Sequence, residues 1–149
     1  MKHLKAFTIM VVAFALLVPA AVMARGIDPV VSVEWLEKNL TTPNLVVVDI
    51  RKVEEYKAGH IPGAINIFYN IVAPGKNNMR NELPADDDLR DILSSNGIGA
   101  DSLVVVAGIN DTPSDRFSMT RAAMTFIYAG VPSVAVLDGG TTKDRKSVV

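Results

Sequence analysis

Four side chains close together offer the most chemistry in this chain. Asp49, Arg51 and Glu55 set two carboxylates around a guanidinium, and His60 follows a few residues later. A carboxylate beside an imidazole could make a general base, but a base acts only through a nucleophile or water placed against it. The chain contains no cysteine, and His3 is its only other histidine. Ser114, Ser118 and Thr120 carry hydroxyls with no base near them in the sequence. His60 therefore reads as a structural hydrogen-bonding residue, and Asp49, Arg51 and Glu55 as a charged cluster that orients loops near the sheet edge.

The same inventory excludes other chemistries. Without cysteine there are no disulfides, thiolate metal sites or thiol nucleophiles. Two histidines make a zinc site improbable, and no metal or cofactor is expected. Asp86, Asp87 and Asp88 lack the ligand spacing of a calcium loop and suit the first turn of a helix, where the dipole favours anions. A net charge of −1 with no basic block excludes the cationic face that nucleic acid requires.

Residues 1–24 read as a secretory signal. Lys2 and Lys5 precede an apolar run from Ala6 to Val18, Pro19 breaks it, and Val22-Met23-Ala24 supplies small residues for cleavage after Ala24. An uncleaved anchor is the alternative, since Ala6 to Ala24 nearly reaches a membrane-spanning length. The positive residues stay inside, so the domain is expected outside the cytoplasm, periplasmic or secreted, or membrane-anchored facing outside. Membrane contact is expected only through this segment.

The elements that must position the polar residues follow in order. Ser32 caps a helix from about Val33 to Leu40 that buries Trp35, Leu36 and Leu40. Leu45 to Ile50 is a continuous β-branched run, as in a strand covered on both faces. Lys52 to Ala58 is a short helix ended by Gly59. Pro62-Gly63 suits a type II turn, and Ala64 to Ile67 is a short strand. Phe68 to Pro84 reads as loop, Asp86 to Ser95 as helix, Leu103 to Ala107 as buried strand, Gly108 to Arg116 as polar loop, Phe117 to Ala129 as helix, and Val134 to Leu137 as a third buried strand. Residues 141–149 form a short polar tail. The alternation predicts an α/β domain with a mainly parallel sheet. A ligand would lie beyond the carboxyl ends of the strands, at Asp49-Ile50-Arg51, Ala107-Gly108 and Asp138-Gly139-Gly140. The backbone at the helix start after Gly108 could hold an anion.

Tyr56-Lys57-Ala58-Gly59-His60-Ile61-Pro62-Gly63-Ala64 followed by Ile67 resembles the amino-terminal pattern of rhodanese-like sulfurtransferase domains. Val47 to Arg51 precedes it and Leu103 to Val106, Arg121 to Gly130 and Val134 to Gly140 follow it in that family's order. The resemblance covers about Val31 to Gly140 and implies a three-layer sandwich, helices on both faces of the sheet, over residues 25–140. It also implies a mechanism for active members: a cysteine thiolate after the central strand takes sulfane sulfur from thiosulfate or 3-mercaptopyruvate and passes it to a thiophilic acceptor.

Gly108 stands where that nucleophile is expected. Asp111 and Asp115 add negative charge to a loop that should welcome anions; Arg116 and Arg121 oppose them in part, Arg121 as a structural tie between that loop and the sheet edge. The segments Phe68 to Asn81, Asn81 to Pro84 and Asn96 to Gly99 are most similar to the cysteine-less amino-terminal unit of tandem sulfurtransferases. The polar ending after Gly140 reads as that of a truncated gene product. The expectation is an exported domain, inactive alone, whose partners are a second rhodanese unit or small sulfur-containing anions. The alternatives are a binding module that uses the cleft at Asp49, Arg51 and Gly108 for an anion or a partner peptide, and thiosulfate sulfurtransferase activity as in the family.

Overall fold

The computed structural model describes residues 26–141. The leader segment 1–24 and tail residues 142–149 lie outside the described residues. Among the described residues no helix is long and apolar enough to cross a membrane.

Five strands form one parallel sheet: β1 (Val30–Ser32), β2 (Leu45–Asp49), β3 (Ile65–Asn66), β4 (Leu103–Ala107) and β5 (Ser133–Asp138), in the order β1-β5-β4-β2-β3. Five helices connect them: α1 (Val33–Asn39), α2 (Val53–Ala58), α3 (Tyr69–Val72), α4 (Asp86–Ser95) and α5 (Pro113–Tyr128). In register, Val47 faces Val105 and Val48 faces Val106, while Val105 faces Ala135 and Val106 faces Val136.

The period of two along each strand sorts these apolar runs onto two faces. Val48, Val104, Val106 and Val134 point to the side where Met119, Ala122 and Phe126 of α5, Val72 of α3 and Leu93 of α4 complete one core. Val47, Val105, Ala107, Ala135 and Leu137 point to the other, against Val33 and Leu36 of α1 and Tyr56 of α2. That is the expected three-layer sandwich, and it explains why the central strands are apolar without alternation. Phe126, at 1% exposure, anchors the larger core; burying such a ring stabilises the fold by about 2 kcal/mol.

Several boundaries differ from expectation. Phe68 to Pro84 is not all loop. Tyr69–Val72 forms a single helical turn that sends Val72 into the core, too short for a periodic signal. A tight turn follows at Asn77 and Asn78, both at positive φ, closed by mutual hydrogen bonds between Lys76 and Met79. The last helix begins at Pro113 instead of Phe117, because proline at the first helical position loses no needed N–H. β1 is three residues long and carried no sequence signal. Trp35 and Leu40 are only half-buried, since α1 presents Val33 and Leu36 to the sheet.

Candidate functional site

The carboxyl ends of β2 and β4 meet at a corner built by backbone hydrogen bonds. Ile50 N donates to Ala107 O at 3.0 Å, Ile67 N to Asp49 O at 3.0 Å, and Tyr69 N to Ile50 O at 2.9 Å. The Asn66 side-chain amide donates to the carbonyls of Asp49 and Arg51, each at 2.9 Å.

Asp49 and Arg51 form a buried ion pair inside this corner. Arg51 Nη2 lies 2.6 Å from Asp49 Oδ2, and the side chains are 5% and 0% exposed. Arg51 N and Nε also donate to the carboxylate, and Nη2 donates to the Gly59 carbonyl at 2.8 Å. Arg51 therefore ties β2 to the turn beyond α2. Its Nε and Nη2 are committed to these bonds, and the residue also lines the cleft at the strand ends. The expected third member stands apart: Glu55 accepts from Lys52 N at 3.2 Å as a cap on α2, because i+3 spacing at a helix start favours that contact.

His60 belongs to the turn. Its Nδ1 is 2.9 Å from the Tyr56 carbonyl, and its ring stacks on Tyr56 with centroids 3.9 Å apart. Tyr56 OH donates to the Ala64 carbonyl at 2.6 Å. Ala64 N donates to Ile61 O at 2.9 Å with Gly63 at φ 78°, which is the type II turn that Pro62-Gly63 prescribes. No hydroxyl or thiol meets the imidazole in this arrangement among the described residues.

Gly108 closes β4 and is buried. A Cβ there would stand 3.0 Å from Ile50 Cγ1 and 3.2 Å from Met119 Cγ. Its carbonyl accepts from Thr141 N at 2.8 Å and Thr141 Oγ1 at 3.3 Å. The place where a nucleophile would extend is thus lined by an isoleucine and a methionine.

The helix start beyond it is already capped. Asp115 Oδ2 accepts from Thr112 N and Thr112 Oγ1, both at 2.8 Å, and Thr112 Oγ1 accepts from Asp115 N at 3.2 Å. The Thr112 hydroxyl, then its N–H, hold the Asp115 carboxyl below the usual carboxylate range. The anion at this amino terminus is a side chain of the protein itself. The Thr112-Pro113-Ser114-Asp115 run is a capping box and could have been read from sequence.

Arg116 is exposed, with Nη1 3.3 Å from the Asn110 carbonyl. Arg121 does not tie the Gly108 loop to the sheet edge. Its Nε and Nη2 donate to the Asn81 carbonyl at 3.0 and 2.8 Å, and Nη1 donates to Thr125 Oγ1 at 2.8 Å, so it fastens the long α3–α4 connection to α5. Asp138 is exposed at the end of β5 and lines a separate groove with Arg116.

Between these elements lies a cleft of about 160 Å³, at the strand ends where a ligand was expected. Ile50, Phe68 and Ile109 give it apolar walls, Tyr69 and Ser118 hydroxyls, and Arg51, Lys52, Glu55 and Asp115 charge. The Tyr69 hydroxyl is pushed up by burial, opposed by Ser118 and Arg121, and donates to Asn81 Oδ1 at 2.8 Å. Of these residues Arg51 and Glu55 were singled out in sequence as part of a site. The others are apolar, or polar types common on any surface, and only the fold gathers them. Larger grooves lie elsewhere, one of about 460 Å³ between α4 and the end of α5. Among the described residues no three His, Cys, Asp or Glu side chains converge as a metal site would require.

Comparison with known proteins agrees with this architecture. The chain is 35% identical over 130 residues to thiosulfate/3-mercaptopyruvate sulfurtransferase 2 of Arabidopsis thaliana, covering 80% of this chain and 36% of that protein. It is 31% identical over 121 residues to a putative thiosulfate sulfurtransferase of Saccharopolyspora erythraea, covering 78% and 40%. The chain thus spans less than half the length of these relatives. Among solved structures, that of YnjE superposes with a TM-score of 0.67 at 26% identity over 81% of this chain and 30% of that one. The 3-mercaptopyruvate sulfotransferase SseA of Escherichia coli, at TM-score 0.58 and 23% identity over 74% and 40%, shares the fold. The rhodanese-like domain family matches residues 32–146, and with the turn at His60 to Ala64 and the parallel sheet both in place, this chain belongs to that family.

Proposed function

We propose that this chain is a non-catalytic rhodanese-like unit of an exported sulfurtransferase system, acting beside a second unit that carries the reactive cysteine. One observation carries the reading. The residue at the end of β4 is Gly108, walled by Ile50 and Met119, in a chain with no cysteine to take up sulfur. A hydroxyl does not substitute, because a persulfide forms by thiolate attack on sulfur. The names of the relatives support the sulfurtransferase setting, and their length, of which this chain covers 36% and 40%, leaves room for a further unit. The purified chain is expected to transfer no sulfur from thiosulfate or 3-mercaptopyruvate to cyanide. Turnover clearly above a boiled control overturns the reading. Export is tested separately: mass spectrometry of the protein recovered outside the cytoplasm is expected to find Arg25 at its amino terminus.

The cleft of about 160 Å³ at the strand ends favours a second reading, a binding module without turnover. A ligand that binds the folded chain raises its melting temperature by mass action. A screen including thiosulfate, sulfite and phosphate tests this, and a flat response at millimolar concentration counts against it.

A further inference from the structure

Helix α5 is apolar on the side that the sheet does not cover. Met119, Ala122 and Phe126 turn inward to the core, while Phe117, Met124 and Tyr128 stand 53%, 55% and 60% exposed. At about 100° per residue, positions 117, 121, 124 and 128 fall within about 60° of one another, opposite the buried face. Seven large apolar side chains are exposed among the described residues, and three of them lie on this strip. Two more, Ile71 and Met79, stand on the segment fastened beside it, where Arg121 holds the Asn81 carbonyl and Thr125 Oγ1 the Val72 carbonyl. Single exposed apolar residues are ordinary, but a gathered set marks an interaction surface.

The spacing along the strip selects its occupant. From Phe117 to Arg121, Met124 and Tyr128 the steps are four, three and four residues, the same from either end, with an aromatic ring at both ends. Such a strip matches its own reversed copy. Reversal sets Phe117 on Tyr128 of a second copy, an aromatic pair made twice, and Met124 against the stem of Arg121. The flank agrees in sign. The connection between α3 and α4 carries Lys76 and Arg80 with one acid, Glu82, and it meets α5 at Arg121, toward the Phe117 end. The first turn of α4 carries Asp86, Asp87 and Asp88, with Arg90 paired to Asp87, and Asp86 shares a groove with Tyr128 at the other end. Reversal therefore brings a net-negative turn of one copy toward a net-positive connection of the other. Arg116 and Asp115 fall outside the strip, bonded to Asn110 and Thr112. We infer that the outer face of α5 docks a second copy of this chain, as an isologous, antiparallel helix pair. The strip contains none of the residues that line the cleft at the strand ends, so the inference stands apart from the sulfurtransferase and binding-module readings.

Sedimentation velocity of the purified chain is expected to show a monomer–dimer equilibrium at submillimolar concentration. Met124→Lys, which sets a cation against Arg121 of the second copy, should weaken the dimer at least about tenfold. The urea midpoint of the dilute chain should not move, because Met124 is exposed. The chain has no cysteine of its own, so introduced thiols can report the register. In an oxidised mixture of Phe117→Cys and Tyr128→Cys chains carrying tags of different mass, mixed disulfide dimers should exceed either like pair at least about tenfold. Reversal puts 117 beside 128 and holds each position roughly 16 Å along the axis from its own copy, beyond disulfide reach. A chain that stays monomeric overturns the inference. So does a dimer that Met124→Lys leaves intact, or like-pair disulfides as abundant as mixed ones.

Discussion

Ile50 Cγ1 stands 3.0 Å from where a Cβ on Gly108 would be, so the residue that follows β2 crowds any side chain placed there. Met119 of α5 closes the other side at 3.2 Å. A cysteine added there needs Ile50 and Met119 to give by a small fraction of a bond length, an overpacking at the low end of about 1–3 kcal/mol. Gly108→Cys is therefore expected to be less stable in urea denaturation and to react slowly with a disulfide reagent. Adding Ile50→Ala should speed that reaction at least about tenfold while lowering stability further. A freely reactive thiol in the single variant contradicts this packing.

The Asp49–Arg51 pair is buried, which decides the sign of its mutations. Removing one partner leaves the other charge unpaired away from water, a loss of about 3–5 kcal/mol. Arg51→Met is expected to lose that much in equilibrium unfolding, plus the bond to the Gly59 carbonyl. Asp49→Asn combined with Arg51→Met should recover part of it. Near-neutral single variants would show that water reaches the pair.

Asp115 gives a pH dependence. Its folded carboxyl titrates below the ordinary aspartate value because Thr112 bonds favour the charged form. A depressed folded value means stability fully present above the unfolded pKa and lost as pH falls through the folded one. The melting temperature of the native chain should therefore exceed that of Asp115→Asn at neutral pH, and the gap should shrink in acid below the carboxylate range. A gap that is constant with pH contradicts the assignment. Thr112→Ala, which removes the reciprocal cap, should cost about 1 kcal/mol.

Gly140 and Gly63 form a matched pair. Both have positive φ, 56° and 78°. A Cβ at Gly63 meets nothing within 4 Å, whereas one at Gly140 collides with the carbonyl oxygen of Gly108 and with Asn110. Gly63→Ala is expected to cost about 1 kcal/mol, from the left-handed backbone alone. Gly140→Ala should cost clearly more, and hydrogen exchange at Thr141, whose amide bonds to Gly108, should accelerate. Equal losses would mean that the Gly108 carbonyl yields freely.

Much of this was legible beforehand because it is local. Ser32 caps α1 through Trp35 N, Asp86 to Asp88 open α4, and Pro62-Gly63 turns between Ile61 and Ala64, each within one turn of chain. The start of α5 is also local but was missed, since Gly108 to Arg116 reads as a polar loop although Pro113 suits a first helical position. The α3 turn and β1 were not legible, being too short to repeat a period.

The sequence by itself determined the α/β class with a mainly parallel sheet, the family pattern around His60, and the lack of a thiol, because periodicity, turn chemistry and composition are properties of the chain alone. Only the tertiary structure decided which partners the polar residues take. It bound Arg51 to Asp49 and Gly59, gave Glu55 to Lys52 N, and sent Arg121 to the Asn81 carbonyl forty residues away. It also set Ile50 and Met119 against Gly108. Contacts between segments far apart depend on how the sheet orders its strands and on which face each helix lands, and no local pattern encodes that.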